Sequence, residues 1–260
     1  MQTKRICLWS GPRNVSTALM YAFAQRSDTE VIDEPLYAHY LHTKYGAQAR
    51  NSTHPGTSEV MASMSTDGVQ VIEQVILGPC EKPVLFMKQM AHHLINIDLS
   101  FLRHTRNVLL IRDPREMLLS LAKVIGTPTL ADTGFKIQHD LLTGLRAVGQ
   151  SPPILDARLL LENPSSVLSQ LCERLGLQFE RSMLSWEAGG NAADGVWAPY
   201  WYQNVHRSTG FAPYRPKSEP FPPELENVCA VCLEYYNALL KDAIRPVPSY
   251  RSLSAIFSRI

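Results

Sequence analysis

Residues 10–17, SGPRNVST, combine side chains that proteins use to bind a phosphate or sulfate group. Gly11 allows a tight turn after an apolar run, and the hydroxyl groups of Ser16 and Thr17 are expected to cap the helix that follows. The first N–H groups of such a helix lack intrahelical acceptors and bind anions. Arg13 adds a permanent positive charge with a planar set of donors. The stretch therefore predicts an oxyanion site between a strand and a helix.

This loop differs from the Walker motif of ATP- and GTP-binding proteins. The pattern G-x-x-x-x-G-K-[ST] needs a second glycine and a lysine, whereas Gly11 is followed five residues later by Ser16 and then by Thr17. Without the lysine, the loop is poorly suited to a β- or γ-phosphate bound with Mg²⁺. A terminal phosphate or a sulfate fits better, and a strand–turn–helix without any ligand is the alternative.

A second oxyanion pattern occupies residues 107–121, NVLLIRDPREMLLSL. Arg112 closes an apolar strand, and Ser120 lies on the helix predicted to begin at Pro114. Six residues of helix rise by roughly 9 Å, so an arginine that lies back along the helix can meet the serine hydroxyl at one phosphate. The alternative is an arginine in a surface salt bridge and a serine on a solvated helix face.

Short apolar runs alternate with helical patterns, which indicates an α/β fold with a mainly parallel sheet. The predicted strands are residues 6–10, 30–33, 84–88, 108–112 and 154–156. Helix boundaries are predicted at Asp113, with Glu116 completing a capping box, at Asn163 and at Gly176. A last amphipathic helix is predicted over 223–242.

Two segments interrupt this alternation. Residues 38–82 are polar and are predicted to be a partly helical insertion on the acceptor side. Residues 186–222 are rich in Trp, Tyr, Pro and Gly, which indicates either a lid over a site or a packed Ω-loop that closes the core. We expect one domain over residues 1–260, in which the basic stretch from residue 245 either straps onto the domain or joins a homodimer interface.

Composition narrows the classes of partner and compartment. The chain of 260 residues is 45% hydrophobic and 19% charged with a net charge of +1, so nothing in its overall charge favours nucleic acid. Five scattered cysteines suit a reducing compartment, and we expect a cytoplasmic protein. We expect no signal peptide, because the first strand is predicted to begin early, and no apolar run approaches the about 20 residues that span a membrane.

Several of these stretches resemble the sulfotransferases that use 3′-phosphoadenosine 5′-phosphosulfate (PAPS). Residues 12–17, PRNVST, look like the 5′-phosphosulfate loop of that family, although Val15 stands where a glycine is usual. Arg112 and Ser120 match the family's 3′-phosphate motif, in which a serine follows an arginine by eight residues. Residues 154–177, an acidic strand end leading to NP, a helix and LGL, are also similar.

The resemblance covers about residues 5–35 and 83–185. It implies a P-loop-like three-layer α/β fold in which helices flank the central sheet, with PAPS as donor, PAP as product and no metal ion. The donor-binding residues that it implies are Pro12, Arg13, Asn14, Val15, Ser16, Thr17, Arg112, Ser120 and, from a basic loop in the lid, Arg207.

Sulfuryl transfer needs a stabilised leaving phosphate and a base for the acceptor's proton. Arg13 is predicted to stabilise the leaving group. The triplet EPL at Glu34 resembles that of carbohydrate sulfotransferases, which implies that Glu34 is the base, and Pro35 is expected to keep its backbone extended. His92 is the rival base, because a neutral imidazole can accept a proton near pH 7. The alternative to a catalytic role for Glu34 is a structural ion pair with Arg13 or Arg112.

The sequence thus predicts an enzyme that moves a sulfuryl group from PAPS to a hydroxyl or amine of a small-molecule acceptor. Two alternatives remain, a phosphotransferase that uses ATP and Mg²⁺, and a non-catalytic nucleotide-binding scaffold of the same fold. Cys229 and Cys232 have CxxC spacing but lie on the apolar stripe of the last helix, so we expect buried thiols and no zinc site.

Overall fold

The computed structural model describes residues 2–46 and 55–247 of the chain. Its sheet has five parallel strands in the order β2-β3-β1-β4-β5. The strands are β1 (Lys4–Ser10), β2 (Thr29–Asp33), β3 (Val84–Met90), β4 (Arg106–Ile111) and β5 (Ile154–Asp156). Each predicted strand is confirmed, and its ends agree with the structure to within two residues. The strand β4 ends at Ile111, so Arg112 lies just outside the sheet.

Helices follow nearly every strand. In chain order they are α1 (Ser16–Ala24), α2 (Tyr37–Tyr45), α3 (Thr57–Ser63), α4 (Gly68–Val71), α5 (Pro114–Ile125), α6 (Leu130–Thr133), α7 (Phe135–Ala147), α8 (Ala157–Glu162), α9 (Pro164–Leu175), α10 (Ala198–Trp201), α11 (Gln203–His206) and α12 (Glu226–Leu240). A π-helical turn continues α4 over Ile72–Ile76, and 3-10 turns occupy Ala91–His93, Leu99–His104, Arg181–Leu184 and Pro223–Leu225.

The sheet separates two hydrophobic cores, because successive side chains of a strand point to opposite faces. On β1, Ile6 and Leu8 belong to the core that packs α1, α8 and α9. Cys7 and Trp9 belong to the core that packs α5, α7 and α12. This arrangement confirms the predicted three-layer α/β fold with a parallel central sheet.

The helix boundaries confirm most of the local signals in the sequence. The side chains of Asp113 and Asn163 accept backbone hydrogen bonds of 2.8 and 3.0 Å in the first turns of α5 and α9. Gly176 ends α9 with a φ of 66°, in the left-handed region. The predicted capping box at Asp113 is wrong in its second half, because the Glu116 carboxylate binds Arg112 instead.

The two irregular segments are packed together. Between β2 and β3 the described residues are mostly helical, as predicted, while residues 47–54 lie outside the described part of the chain. Residues 186–222, which we call the lid, hold only the short helices α10 and α11. Trp197 and Tyr202 of the lid are buried in a third cluster with Tyr37 and Leu41 of α2. The lid therefore rests on the insertion.

Other expectations concern the cysteines, the membrane and the C-terminus. All five cysteines are free, and Cys229 and Cys232 are buried on α12, as predicted. Within residues 2–46 and 55–247, no helix has both the length and the apolar character to cross a bilayer. The predicted strap or homodimer contact falls largely on residues 248–260, which lie outside the described residues.

Candidate active site

A cavity of about 820 Å³ lies at the carboxyl edge of the sheet. The loop after β1 and the first residues beyond β2, β3 and β4 form one side, and α2 and the lid form the other. Parallel strands end at the same edge, so segments that are distant in sequence meet there. The volume falls within the roughly 300–1,000 Å³ of most small-ligand sites.

The loop after β1 has a tightly constrained backbone. A Cβ atom on Gly11 would lie 2.5 Å from the carbonyl oxygen of Thr133, so a residue with a side chain does not fit without movement. Arg13 has a φ of 56°, in the left-handed region that residues with a side chain rarely adopt. Such backbone strain concentrates at functional sites. The loop therefore holds Arg13 in a costly, defined position.

The N-terminus of α1 opens onto the cavity. The prediction that Ser16 and Thr17 cap this helix is wrong, because Val15 is the N-cap residue and no side chain caps there. With a φ of −86°, Val15 needs no glycine, which explains how valine replaces the family's usual residue. The first N–H groups of α1 lack intrahelical acceptors, and Ser16, Thr17 and Ala18 line the cavity. Anion binding at this helix end stays a prediction.

The two predicted oxyanion patterns meet in one cluster. Arg13 donates from Nε to Oγ of Ser120 at 3.0 Å, and Arg112 donates from Nη1 to the carbonyl oxygen of Arg13 at 2.8 Å. Glu116 accepts hydrogen bonds from Arg112 at 3.0 and 3.2 Å. Burial, and then the like charge of Arg112, lower the pKa of Arg13. An anion between the two arginines would relieve this repulsion.

The lid contributes a cation that the sequence prediction missed. Arg207 is exposed and is not among the residues that line the cavity. Lys217 lines it instead, and burial, followed by the charges of Arg112 and Lys123, lowers its pKa. The stretch YRPKSEP was the available signal, because it places basic residues beside prolines in the lid.

Glu34 leaves β2 in an unusual backbone conformation. The expectation that Pro35 keeps it extended is wrong, because Glu34 has a φ of 39°. Its N–H donates to the carbonyl oxygen of Lys88 at 2.8 Å, and its own carbonyl accepts from the N–H of Tyr37 at 3.0 Å. The chain thus turns from the sheet directly into α2, and this turn outweighs the local preference. The Glu34 side chain lines the cavity.

Glu34 forms its ion pair with Lys88, so the predicted alternative of a pair with Arg13 or Arg112 is wrong. Lys88 is only 2% exposed and also binds Oδ1 of Asp33 at 2.9 Å. Burial is the largest influence on Glu34 and raises its pKa; Lys88 opposes this shift and Asp33 adds to it. Burial disfavours the charge of Lys88, but both carboxylates outweigh it and raise its pKa.

The two histidines lie together on the turn after β3. His92 and His93 belong to a 3-10 turn, their ring centroids are 4.8 Å apart, and both line the cavity. Nε2 of His93 lies 3.9 Å from Oε2 of Glu34, and its ring stacks on those of Tyr37 and Tyr40. His92 thus reaches the cavity, as its predicted role as rival base requires, but of the two rings it is that of His93 that lies beside Glu34.

An aromatic wall faces the histidines. It is formed by α2 and the lid, and its members are Tyr37, Tyr40, Tyr45, Trp197, Trp201 and Tyr202. At its edge Lys44 donates to the hydroxyl of Tyr40 at 2.9 Å and to Asp132 at 3.1 Å. In the described residues, no group of three or more His, Cys, Asp or Glu side chains is arranged to hold a metal ion.

The fold is that of an α/β protein whose cavity is lined by a candidate oxyanion site at a helix N-terminus and by a buried carboxylate–lysine pair. The sequence profile described as Sulfotransferase domain matches residues 4–243, nearly the whole chain. The chain belongs to the sulfotransferase domain family.

Two relatives from Arabidopsis thaliana have names that do not refer to sulfotransferases. The branched-chain-amino-acid aminotransferase-like proteins 2 and 1 are 36% and 37% identical over 232 residues, which cover 89% of this chain and 40% of each relative. The chain therefore spans about two fifths of the length of these relatives.

Solved structures share the fold at low sequence identity. The sulfotransferase domain from the curacin biosynthetic pathway has a TM-score of 0.51 at 17% identity, covering 90% of this chain and 98% of that domain. The sulfotransferase domain of the Synechococcus PCC 7002 olefin synthase has a TM-score of 0.50 at 15%, covering 89% and 98%. The sulfotransferase from Alicyclobacillus acidocaldarius has 0.51 at 11%, covering 94% and 98%. These similarities confirm the P-loop-like α/β fold.

Proposed function

We propose that this protein transfers the sulfuryl group of PAPS to a hydroxyl or amine of a small-molecule acceptor. The direct contact of Arg13 with Ser120 and Arg112 is the observation that carries the proposal. It joins the two oxyanion patterns in a cavity that Glu34 also lines. Membership of the sulfotransferase domain family supports the same reaction.

The donor would occupy the cationic end of the cavity. The N–H groups at the start of α1 and the Arg13 side chain bind the 5′-phosphosulfate, and Arg112 with Ser120 binds the 3′-phosphate. On binding, Arg13 and Ser120 exchange their mutual hydrogen bond for phosphate oxygens. Lys217 lies near Arg112 and is suited to be the lid's contribution to the 3′-phosphate. These cations supply the field that stabilises the leaving phosphate.

The transfer step balances with the groups present. The acceptor oxygen or nitrogen forms a bond to sulfur while the bond from sulfur to the phosphate oxygen breaks, and PAP leaves with its electron pair. The acceptor's proton passes to the Glu34 carboxylate. A raised pKa makes Glu34 a stronger base than an ordinary glutamate, because a base works best with a pKa near the operating pH.

The acceptor side of the cavity is suited to a small molecule with a flat or ring-shaped face. Tyrosine and tryptophan rings from α2 and the lid form that side. Aromatic side chains bind such faces by stacking, while their polar atoms orient the ligand. A cytoplasmic location fits the five free thiols, which persist in a reducing compartment.

Thermal unfolding with candidate donors tests this function. A ligand that binds only the native state at a hundred times its Kd adds about 2.7 kcal/mol of stability, which raises the midpoint by several degrees. We expect this shift with PAP and none with ATP plus Mg²⁺. A shift with ATP alone would indicate the phosphotransferase, and no shift with either would favour the non-catalytic scaffold.

Matched variants make the thermal test specific. Arg112→Ala is expected to remove most of the PAP shift. Arg115→Ala should retain it, because Arg115 is an exposed arginine in the first turn of α5 that pairs with Glu226. Release of PAP from PAPS in the presence of a library of small hydroxyl and amine acceptors then identifies the acceptor.

A further inference from the structure

A buried group of side chains joins Glu34 to the lid. We call Asp33, Glu34, Lys88, Trp197 and Tyr202 the base network; all five are nearly inaccessible to solvent. Lys88 uses its ammonium group entirely inside the network, donating to Oδ1 of Asp33 at 2.9 Å, to Oε1 of Glu34 and to the hydroxyl of Tyr202 at 2.7 Å. An ammonium group has three N–H donors, so none remains for a substrate.

The hydroxyl of Tyr202 is equally saturated. It donates to Oδ2 of Asp33 at 2.7 Å and accepts from Nζ of Lys88 and from Nε1 of Trp197 at 2.9 Å. A phenol has one proton to donate and two lone pairs to accept with, and here all three are used. Tyr202 therefore fixes the relative positions of a lid tryptophan and two charged groups of the sheet.

Asp33 depends on the lid for most of its hydrogen bonds. Its Oδ1 atom accepts from Lys88, whereas its Oδ2 atom accepts from the Tyr202 hydroxyl and from the backbone N–H of Gly195 at 3.2 Å. Two of these three donors belong to the lid. If the lid moved away, Lys88 would lose one hydrogen-bond acceptor and Asp33 would lose two donors. The ammonium group of Lys88 would then change its position between the carboxylates of Asp33 and Glu34.

We propose that Asp33 and Tyr202 are positioning residues for the base Glu34, and that they make its orientation by Lys88 depend on a docked lid. The inference rests on the proposed function in taking Glu34 as the base. The network assigns Lys88 to the orientation of Glu34 instead of to contact with the transferred group, since every N–H of Lys88 is used.

The charges around Glu34 give the two positioning residues opposite effects. Besides Asp33 and Lys88, the groups that face Glu34 are Tyr37 of α2, His93 of the turn after β3 and Tyr202 of the lid. Burial contributes most to the raised pKa of Glu34; Lys88 lowers this pKa, whereas Asp33 raises it further. In Tyr202→Phe, Asp33 loses a hydrogen-bond donor and draws Lys88 away from Glu34, so the pKa of Glu34 should rise. In Asp33→Asn a neighbouring negative charge is lost, so the pKa of Glu34 should fall.

The pH dependence of kcat/KM for PAP release from PAPS tests this. A base must be ionised, so activity falls as the pH drops through its pKa. We expect this acid limb to move up by about one pH unit in Tyr202→Phe and down by about one in Asp33→Asn. Tyr200→Phe is the control: Tyr200 lies on α10, is 47% exposed and donates to Glu59 outside the cavity. Its profile should match the unmodified protein.

Loss of a merely structural contact would lower the plateau of these profiles without moving the acid limb in opposite directions. An acid limb common to all four proteins, or shifts of the same sign in Tyr202→Phe and Asp33→Asn, would overturn the proposal.

A measurement that needs no turnover separates this inference from the proposed function. In ¹⁵N-labelled protein, the indole N–H resonance of Trp197, which donates to Tyr202, should titrate with the base network in the unmodified protein and in Tyr200→Phe. The titration should be lost in Tyr202→Phe. A Trp197 resonance that does not change with pH would overturn the proposed coupling of the base network to the lid. Absence of PAP release at every pH would contradict the proposed function alone.

Discussion

Two groups of side chains at the cavity handle charge in opposite ways. The group proposed to bind the donor, here called the donor end, gathers cations from two loop–helix units and from the lid, and among the described residues only one of its arginines has an acidic partner; its side chains are Arg13, Arg112, Ser120 and Lys217. At the base end every charge is buried and paired with another inside the protein, and its members are Asp33, Glu34 and Lys88. The side chains of the donor end are partly exposed, whereas those of the base end are buried.

This difference separates binding from positioning. Arg13 lies beside the like charge of Arg112, whose own acidic partner is Glu116, and an anionic ligand would relieve the repulsion on Arg13. A buried and internally paired cluster gains nothing comparable from a ligand and costs stability unless its geometry is complete. Substitutions at the donor end should therefore act on affinity, and those at the base end on rate, pH dependence and stability.

Glu34→Gln should have the largest effect, a fall in kcat of about 10²–10⁴-fold with little change in PAP affinity, because the amide cannot accept the acceptor's proton. Turnover with the acceptor found by screening and calorimetric titration with PAP measure the two quantities. Glu30→Gln, on an exposed position of the same strand, should leave both unchanged. An active Glu34→Gln enzyme would transfer the role of base to His92 or His93.

Lys88→Met should lower the free energy of unfolding by about 3–5 kcal/mol at neutral pH, because two buried carboxylates lose their cation. The loss should be smaller near pH 5. The folded-state pKa of Glu34 is raised, so stability carried by its neutral form is present at low pH and is lost as pH rises through that value.

Urea unfolding at the two pH values measures the effect of Lys88→Met. Lys123→Met is the control, since Lys123 is an exposed partner of Glu219 and should change stability by less than about 1 kcal/mol. An equal loss at both pH values would show that Lys88 does not act by compensating the carboxylates.

Arg112→Ala should weaken PAP binding about 10–100-fold, the range expected for losing charge-assisted hydrogen bonds to a phosphate. The midpoint of unfolding without ligand is a separate readout and should also fall, because Glu116 and the carbonyl oxygen of Arg13 lose their hydrogen bonds from Arg112. Calorimetry with Arg115→Ala as control measures the affinity. Unchanged PAP affinity in Arg112→Ala would remove Arg112 from the donor end.

Gly11→Ala should destabilise the protein by about 1–3 kcal/mol, because the added Cβ meets the carbonyl oxygen of Thr133 at 2.5 Å. Gly144→Ala is the opposite case. Gly144 lies inside α7, and a Cβ atom added there would meet no other atom within 4 Å, so alanine should stabilise the protein by about 0.5–1 kcal/mol. Thermal unfolding compares the two, and equal effects would contradict the close approach at Gly11.

The donor end was largely predictable from sequence, and the reason is its local construction. Gly11, Arg13 and the start of α1 lie within a few residues, and Arg112 and Ser120 share one strand–helix unit. Helix caps at Asp113 and Asn163 likewise depend on neighbours two or three residues away. Prediction failed at this end for Lys217, which comes from the distant lid, and also for the local caps expected of Ser16, Thr17 and Glu116.

For the base end, the sequence predicted only that a candidate base, Glu34, follows β2. The conformation of Glu34 contradicts the preference imposed by Pro35, because hydrogen bonds to Lys88 and from Tyr37 hold the turn. The partner of Glu34 is 54 residues away, and Tyr202 is 114 residues from Lys88. Nothing near Glu34 in the sequence distinguishes Lys88 from other basic residues as its counterion.

The sequence by itself determined the alternation of strands and helices, the two oxyanion patterns and the family, since apolar periodicity and short motifs depend on neighbouring residues. Only the tertiary structure decided which cation neutralises Glu34, which histidine contacts it and which lid residues reach the site. The physical reason is that a buried charge is stabilised by whatever groups the packing of distant segments brings within hydrogen-bond distance.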